Sequence, residues 1–214
     1  LTAPAGTYAE SVDLDKDITL IAPYGANVTN TSGASGNYGL NISGSAAPEI
    51  SGFRLSGWQQ GVEARHSEGD WLLSDTIIYG GENGIVAAGT ENDWTATHIK
   101  IGGTASSGIV AAESSGNWSV ERSLINDTAT GFNASDSLGD WTIQDTRVER
   151  TQDGIVAARG SETAFDLGRY VDRLEHNPSE LEEVETRLNS LNRLVKKYAP
   201  NALGDDPVAA QIAL

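Results

Sequence analysis

Gly69-Asp70-Trp71-Leu72-Leu73-Ser74-Asp75-Thr76-Ile77-Ile78-Tyr79-Gly80-Gly81-Glu82-Asn83-Gly84-Ile85-Val86-Ala87-Ala88 decides the fold, because the chain repeats this pattern. It returns as Asn92-Asp93-Trp94 leading to Gly108-Ile109-Val110-Ala111-Ala112, and again around Trp118 and Trp141. Gly39, Gly61, Gly84, Gly108, Gly131 and Gly154 follow one another at steps of 22, 23, 24, 23 and 23 residues. A fixed period of this size marks a solenoid, in which each unit buries its apolar face only against its neighbours.

Superposed, the repeats give apolar columns: Leu73, Ala96, Val120 and Ile143; then Ile78, Ile101, Ile125 and Val148. Each ladder glycine is followed by a pair two residues apart, such as Ile85 and Ala87 or Phe132 and Ala134. That spacing puts both side chains on one face of a strand. Asn, Asp, Ser and Gly between the columns favour tight turns. The pattern predicts two or three short strands per repeat, with equivalent residues about 4.8 Å apart in successive coils. An αα repeat would need 3.6-residue apolar spacing, which the glycine and β-branched content opposes. The fold class is mainly β, a coiled and all-parallel structure, with a helical C-terminal segment.

The opening Gly6-Thr7-Tyr8-Ala9-Glu10-Ser11-Val12, followed by Asp15 to Ala22, resembles the first coil of right-handed parallel β-helix proteins of the pectin-lyase-like superfamily. The later Gly-Asp-Trp to Gly-Ile-Val-Ala-Ala coils are similar to repeats in secreted surface proteins of salt-loving archaea. The resemblance covers about residues 1–162 and implies a single-stranded right-handed β-helix of six or seven coils. It implies no single activity, since that superfamily holds lyases, hydrolases, esterases, adhesins and inert modules.

The net charge is −16, with 21 acids against 8 bases in residues 1–162. Such a solenoid repels nucleic acid and anionic lipid. It suits either a cationic ligand or a solvated surface soluble in concentrated salt. Asp70, Asp93, Asn117 and Asp140 each precede a ladder Trp, so carboxylates stacked coil on coil should repel unless salt or bound cations screen them. Asp13, Asp15 and Asp17 alternate and offer a second cation-attracting patch. These six Asp residues, with Asn117 left aside, are the metal candidates; beyond bound calcium or monovalent cations no cofactor is expected.

The chain has no Cys and no run of 18 apolar residues, so neither disulfides nor a membrane span is expected. It begins at Leu1 and lacks Met, which reads as a processed or excised piece. Asn-x-Ser/Thr triplets at Asn27, Asn30, Asn41, Asn117, Asn126 and Asn133 take six of the nine Asn in the β part. They point to a glycosylated protein outside the cell or at its surface, although turn-rich coils favour the same residues.

Beyond Glu162 the pattern turns helical, giving a second segment, 163–214. Leu181, Val184, Leu188, Leu191, Val195 and Tyr198 form a heptad stripe, opened by Asn177, Pro178 and Glu180 as cap, first-turn proline and capping acid. An earlier stripe runs through Leu167, Val171 and Leu174. The expected role is a cap on the solenoid's open end, with self-association through 178–198 as the alternative. Residues 170–198 also resemble the coiled-coil arm of the RecN repair ATPase family, without its phosphate-binding loop.

Four residues after each Trp stand Asp75, His98, Arg122 and Asp145. Facing outward, this column would set acid, imidazole and guanidinium about 5 Å apart. Asp145, Arg122 and the adjacent Glu121 fit a lyase, which neutralises a uronate and removes a proton; freely varying turn residues are the simpler reading. A looser cluster is Arg65, His66, Glu68 and Asp70. The Trp ladder shares a strand face with apolar residues, so it is expected to be buried. Trp58, outside that ladder, is the candidate exposed aromatic contact for a sugar. The reading is a non-catalytic surface spacer or carbohydrate-binding module adapted to high salt, contacting glycans or cell-envelope components. A polysaccharide lyase for acidic glycans and a coiled-coil assembly module are the alternatives.

Overall fold

The computed structural model describes residues 1–30 and 37–157. The expectations for 163–214 (the heptad stripe, the cap at Asn177 and the cap or self-association role) lie outside the described residues.

The coil that carries Trp94 shows how the chain winds. Strands Trp94–Thr97, Lys100–Gly102 and Ser107–Val110 follow one another, one in each of three parallel stacks. Trp94 pairs with Trp71 before it and Trp118 after it. Ile101 likewise lies between Ile78 and Ile125, and Ile109 between Ile85 and Phe132. Phe132 then pairs with Ile155. The apolar columns therefore stack in sequence order, in a parallel β-solenoid of about six turns.

The core is the set of inward columns. Leu73, Ile78, Ile85, Ile101, Ile109 and Ile125 are all fully buried. The ladder tryptophans are buried too, and their rings stack at 4.9, 5.2 and 5.1 Å between centroids with interplanar angles of 6° or less. Parallel register makes like side chains meet, so one Trp dictates where the next must lie. Pro48 takes the Trp position in the preceding coil, since its neighbour Glu49 pairs with Leu72.

The glycine ladder has a packing cause. Gly61, Gly84 and Gly108 sit inside strands, not turns. A Cβ on Gly84 would lie 2.5 Å from the carbonyl oxygen of Gly108 and 2.6 Å from Ile101 Cγ2. Any side chain there would push the next coil away, so the period is enforced by close approach of backbones.

Each coil turns three corners, and each corner holds a residue in the left-handed region. The first corner is Asp75, His98, Arg122 and Asp145, at φ between 47° and 53°. The second runs Gly57, Gly80, Gly103, Asp127 and Arg150, and the third His66, Gly89, Glu113 and Asp136. Glycine adopts this conformation freely and Asp more readily than most other residues. His and Arg at the first corner are held there by the strands on either side.

Trp58 is not an exposed contact. It is 1 % exposed, and its indole Nε1 donates to the carbonyl of Val28 at 3.0 Å. A Cβ on Gly39 would lie 3.0 Å from the indole Cδ1, so that glycine leaves room for the ring. The coil that lacks a ladder Trp thus still turns an indole inward, at a different corner.

Candidate functional site

The first corner brings together what the sequence pattern proposed, one residue per coil. Asp75, His98 and Arg122 are exposed, and their backbone N–H groups donate to carbonyls of the next coil at 3.2, 3.1 and 2.9 Å. Ser51 Oγ donates to Asp75 Oδ2 at 3.5 Å, and Thr97 Oγ1 lies 3.3 Å from His98 Nδ1. Arg122 Nη2 meets Glu121 Oε2 at 3.2 Å, with Asp145 one coil beyond. Asp75 and Asp145 are three coils, about 14 Å, apart, outside the range of a glycosidase pair. These residues stand in one outward row at the turn that follows the Trp strand in each coil.

The looser cluster is divided. Arg65 Nε pairs with Glu63 Oε1 at 2.7 Å. Burial pushes the Glu63 carboxyl above its ordinary value, against the opposing pull of Arg65 and His66. His66 is a corner residue, and Asp70 belongs to a different ladder.

That ladder is the acidic column. Asp70 Oδ1 accepts the backbone N–H of Asp93 at 3.0 Å, and Asp93 Oδ1 accepts that of Asn117 at 2.8 Å. Asn117 Oδ1 in turn accepts the N–H of Asp140 at 2.9 Å. Side-chain oxygens thus satisfy backbone donors at the start of each next strand. Asp17 is an earlier rung that the sequence pattern did not connect to the column: it accepts the N–H of Ala47 at 2.9 Å, and Thr19, Glu49 and Leu72 fix the shared register.

The expected patch of Asp13, Asp15 and Asp17 is accordingly split. Asp13 lies on a strand of another stack, where it accepts from Asn41 Nδ2 at 3.0 Å. Asp15 is exposed between the two. Among the described residues no group of three or more His, Asp or Glu is arranged to hold a metal ion. The acidic ladder borders an open groove of about 440 Å³ whose lining includes Pro48, Glu49, Asp70, Leu72, Asp93 and Thr95.

A second ladder escaped sequence reading because its members differ in type. Asn83 Nδ2 donates to Gln60 Oε1 at 3.0 Å, and Asn83 Oδ1 accepts the N–H of Ser107 at 3.0 Å. Of the glycosylation candidates, Asn41 and Asn117 use their side-chain N–H groups on Asp13 and Asp93. Asn133 Oδ1 accepts from Ser135, and Asn126 Oδ1 is buried without a partner. Asn27 lies on an outward column of its stack, and Asn30 ends the first described segment.

The winding geometry agrees with what comparison with known families finds. Residues 38–166 match the family model for the right handed beta helix region. The chain belongs to that family. No curated protein and no solved structure matches this β-helix. Fold and family are thereby fixed, while the chemistry of the β-helix must be argued from its outer surfaces.

Proposed function

We propose that this β-helix is a non-catalytic surface module that binds carbohydrate and works outside the cell in concentrated salt. The observation that carries the reading is how the titratable candidates are used. The acidic column is spent on backbone donors of the next coil, and the Asp75 to Asp145 column holds the left-handed turn positions of the first corner. What remains is a set of sheet faces that run along the stacked coils, the kind of surface that suits an extended polymer. The six Asn-x-Ser/Thr triplets and the acidic surplus support export and salt adaptation. The resemblance of the later coils to secreted surface proteins of salt-loving archaea supports the same reading.

The test is a panel of neutral and acidic polysaccharides, read for retention of the protein and for chain shortening or new unsaturated ends. Retention without product is expected. Unsaturated product, lost in Arg122→Ala, would replace this reading with a lyase; no retention on any glycan would end it.

A further inference from the structure

Three of the seven Lys and Arg among the described residues share one column. One outward column of the second stack reads Asn27, Arg54, Ile77, Lys100, Leu124, Arg147 in successive coils, joined pair by pair in register. It holds three cations and no anion. They recur every second coil, about 9.5 Å apart, with an apolar residue between each pair. The equivalent outward columns of the first stack hold Glu49 and Glu121 and no base.

Arg54 and Lys100 are exposed, and among the described residues neither makes an ion pair. Arg147, by contrast, is held by Glu149. In the coil between Arg54 and Lys100 stands Tyr79, 67 % exposed, on the neighbouring outward column. Its ring lies over the Gly103 corner, where a Cβ would be 3.2 Å from the ring. Gly102, opposite Tyr79 in the next coil, adds no side chain. Two unpaired cations thus flank an exposed aromatic ring above a floor of Ile77 and glycine.

Resting on the carbohydrate-binding reading above, we propose that this face docks an anionic polysaccharide. Acidic groups of the sugar chain engage Arg54 and Lys100, one sugar ring stacks on Tyr79, and the chain runs on past Leu124 toward Arg147. The aromatic face and the apolar floor match the C–H faces of sugar rings. Nucleic acid, with a charge about every 3.4 Å along each strand, is repelled by Asp75, Asp145 and Glu149 at the margins more strongly than a polyuronate with one carboxylate per sugar.

The probes are polygalacturonate, alginate and neutral dextran, measured by calorimetry at low and at molar salt. Polyuronate binding is expected. Arg54→Ala with Lys100→Ala should weaken it about tenfold or more, as two charge-assisted contacts imply. Tyr79→Ala should weaken it about fivefold, and Lys16→Ala should leave it unchanged. Circular dichroism and the unfolding midpoint, expected to match wild type, show that the variants fold. Polyuronate binding indifferent to all three substitutions would overturn this face, and binding of dextran alone would overturn the anionic ligand; either leaves carbohydrate binding intact. Failure with every glycan would overturn both.

Discussion

The carboxylate of Asp70 accepts the backbone N–H of Asp93 at 3.0 Å, so two side chains whose like charges repel belong to one continuous ladder. The oxygen, not the charge, is what the next coil uses. Asp93→Asn keeps the acceptor for Asn117 and removes a charge. It is expected to leave stability unchanged or raise it in dilute buffer, with the gain shrinking in molar salt. Asp93→Ala removes the acceptor and should cost about 0.5–1.5 kcal/mol. Denaturant unfolding of both variants at two salt concentrations separates these terms.

The stacked tryptophans form one contiguous column of the core. Trp94 lies between Trp71 and Trp118 and is 2 % exposed. Trp94→Ala leaves a ring-sized gap between two indoles and should cost about 3–5 kcal/mol. Urea unfolding with a two-state fit checks this, and a cost under 1 kcal/mol (roughly, by the same scale) would mean the stack is not packed as described.

Gly84 tests whether the period is enforced by backbone contact. Gly84→Ala places a methyl 2.5 Å from the Gly108 carbonyl oxygen, so about 1–3 kcal/mol should be lost through overpacking. Gly44 has open space at its Cβ position, but its φ of +61° makes it a poor control. Gly6 carries no such constraint, and its Cβ would come no nearer than 3.5 Å to Tyr8, an ordinary contact, so Gly6→Ala should be close to neutral.

Arg122 holds the first corner at φ +47°, a conformation that costs most side chains energy. If the corner is a turn first, Arg122→Gly leaves stability unchanged or raises it by up to about 1 kcal/mol, while Arg122→Val lowers it by about 1–2 kcal/mol. Thermal unfolding of the two variants gives the comparison.

Asp127 and Arg150, in adjacent coils at the second corner, meet through two contacts of 2.6 and 2.8 Å. The Arg150 hydrogen bonds hold the Asp127 carboxyl below the ordinary carboxylate range. A lowered acid favours the folded state above its unfolded pKa of about 3.9, and that contribution is lost as pH falls through the folded value. Both groups are at the surface, so the effect is small. The gap in unfolding midpoint between wild type and Asp127→Asn should close below about pH 4, measured by acid titration of stability.

The solenoid was legible because parallel register copies chemistry from coil to coil: Ile85, Ile109, Phe132 and Ile155 had to be neighbours if the period meant anything. Trp58 was misread because it occurs once, and a residue without a column gives no hint of its face. The acidic ladder was visible as a column but not as a device, since its partners are backbone N–H groups that carry no sequence signature. For the same reason Asp17 was grouped with Asp13, its neighbour in sequence, instead of Asp70, which holds the same register two coils on. The basic column escaped notice because Arg54, Lys100 and Arg147 recur only every second coil, with Ile77 and Leu124 between them.

Every face described here exists only if strands stack in that register, and one pair reports on it directly. Ser119 Oγ donates to Thr95 Oγ1 at 3.1 Å across adjacent coils, and the chain has no native cysteine to interfere. Spin labels on Thr95→Cys and Ser119→Cys, read by continuous-wave EPR in frozen solution, should show strong dipolar broadening from backbones about 5 Å apart. A spectrum equal to the sum of the two single-label spectra would contradict the register, and with it the faces built upon it.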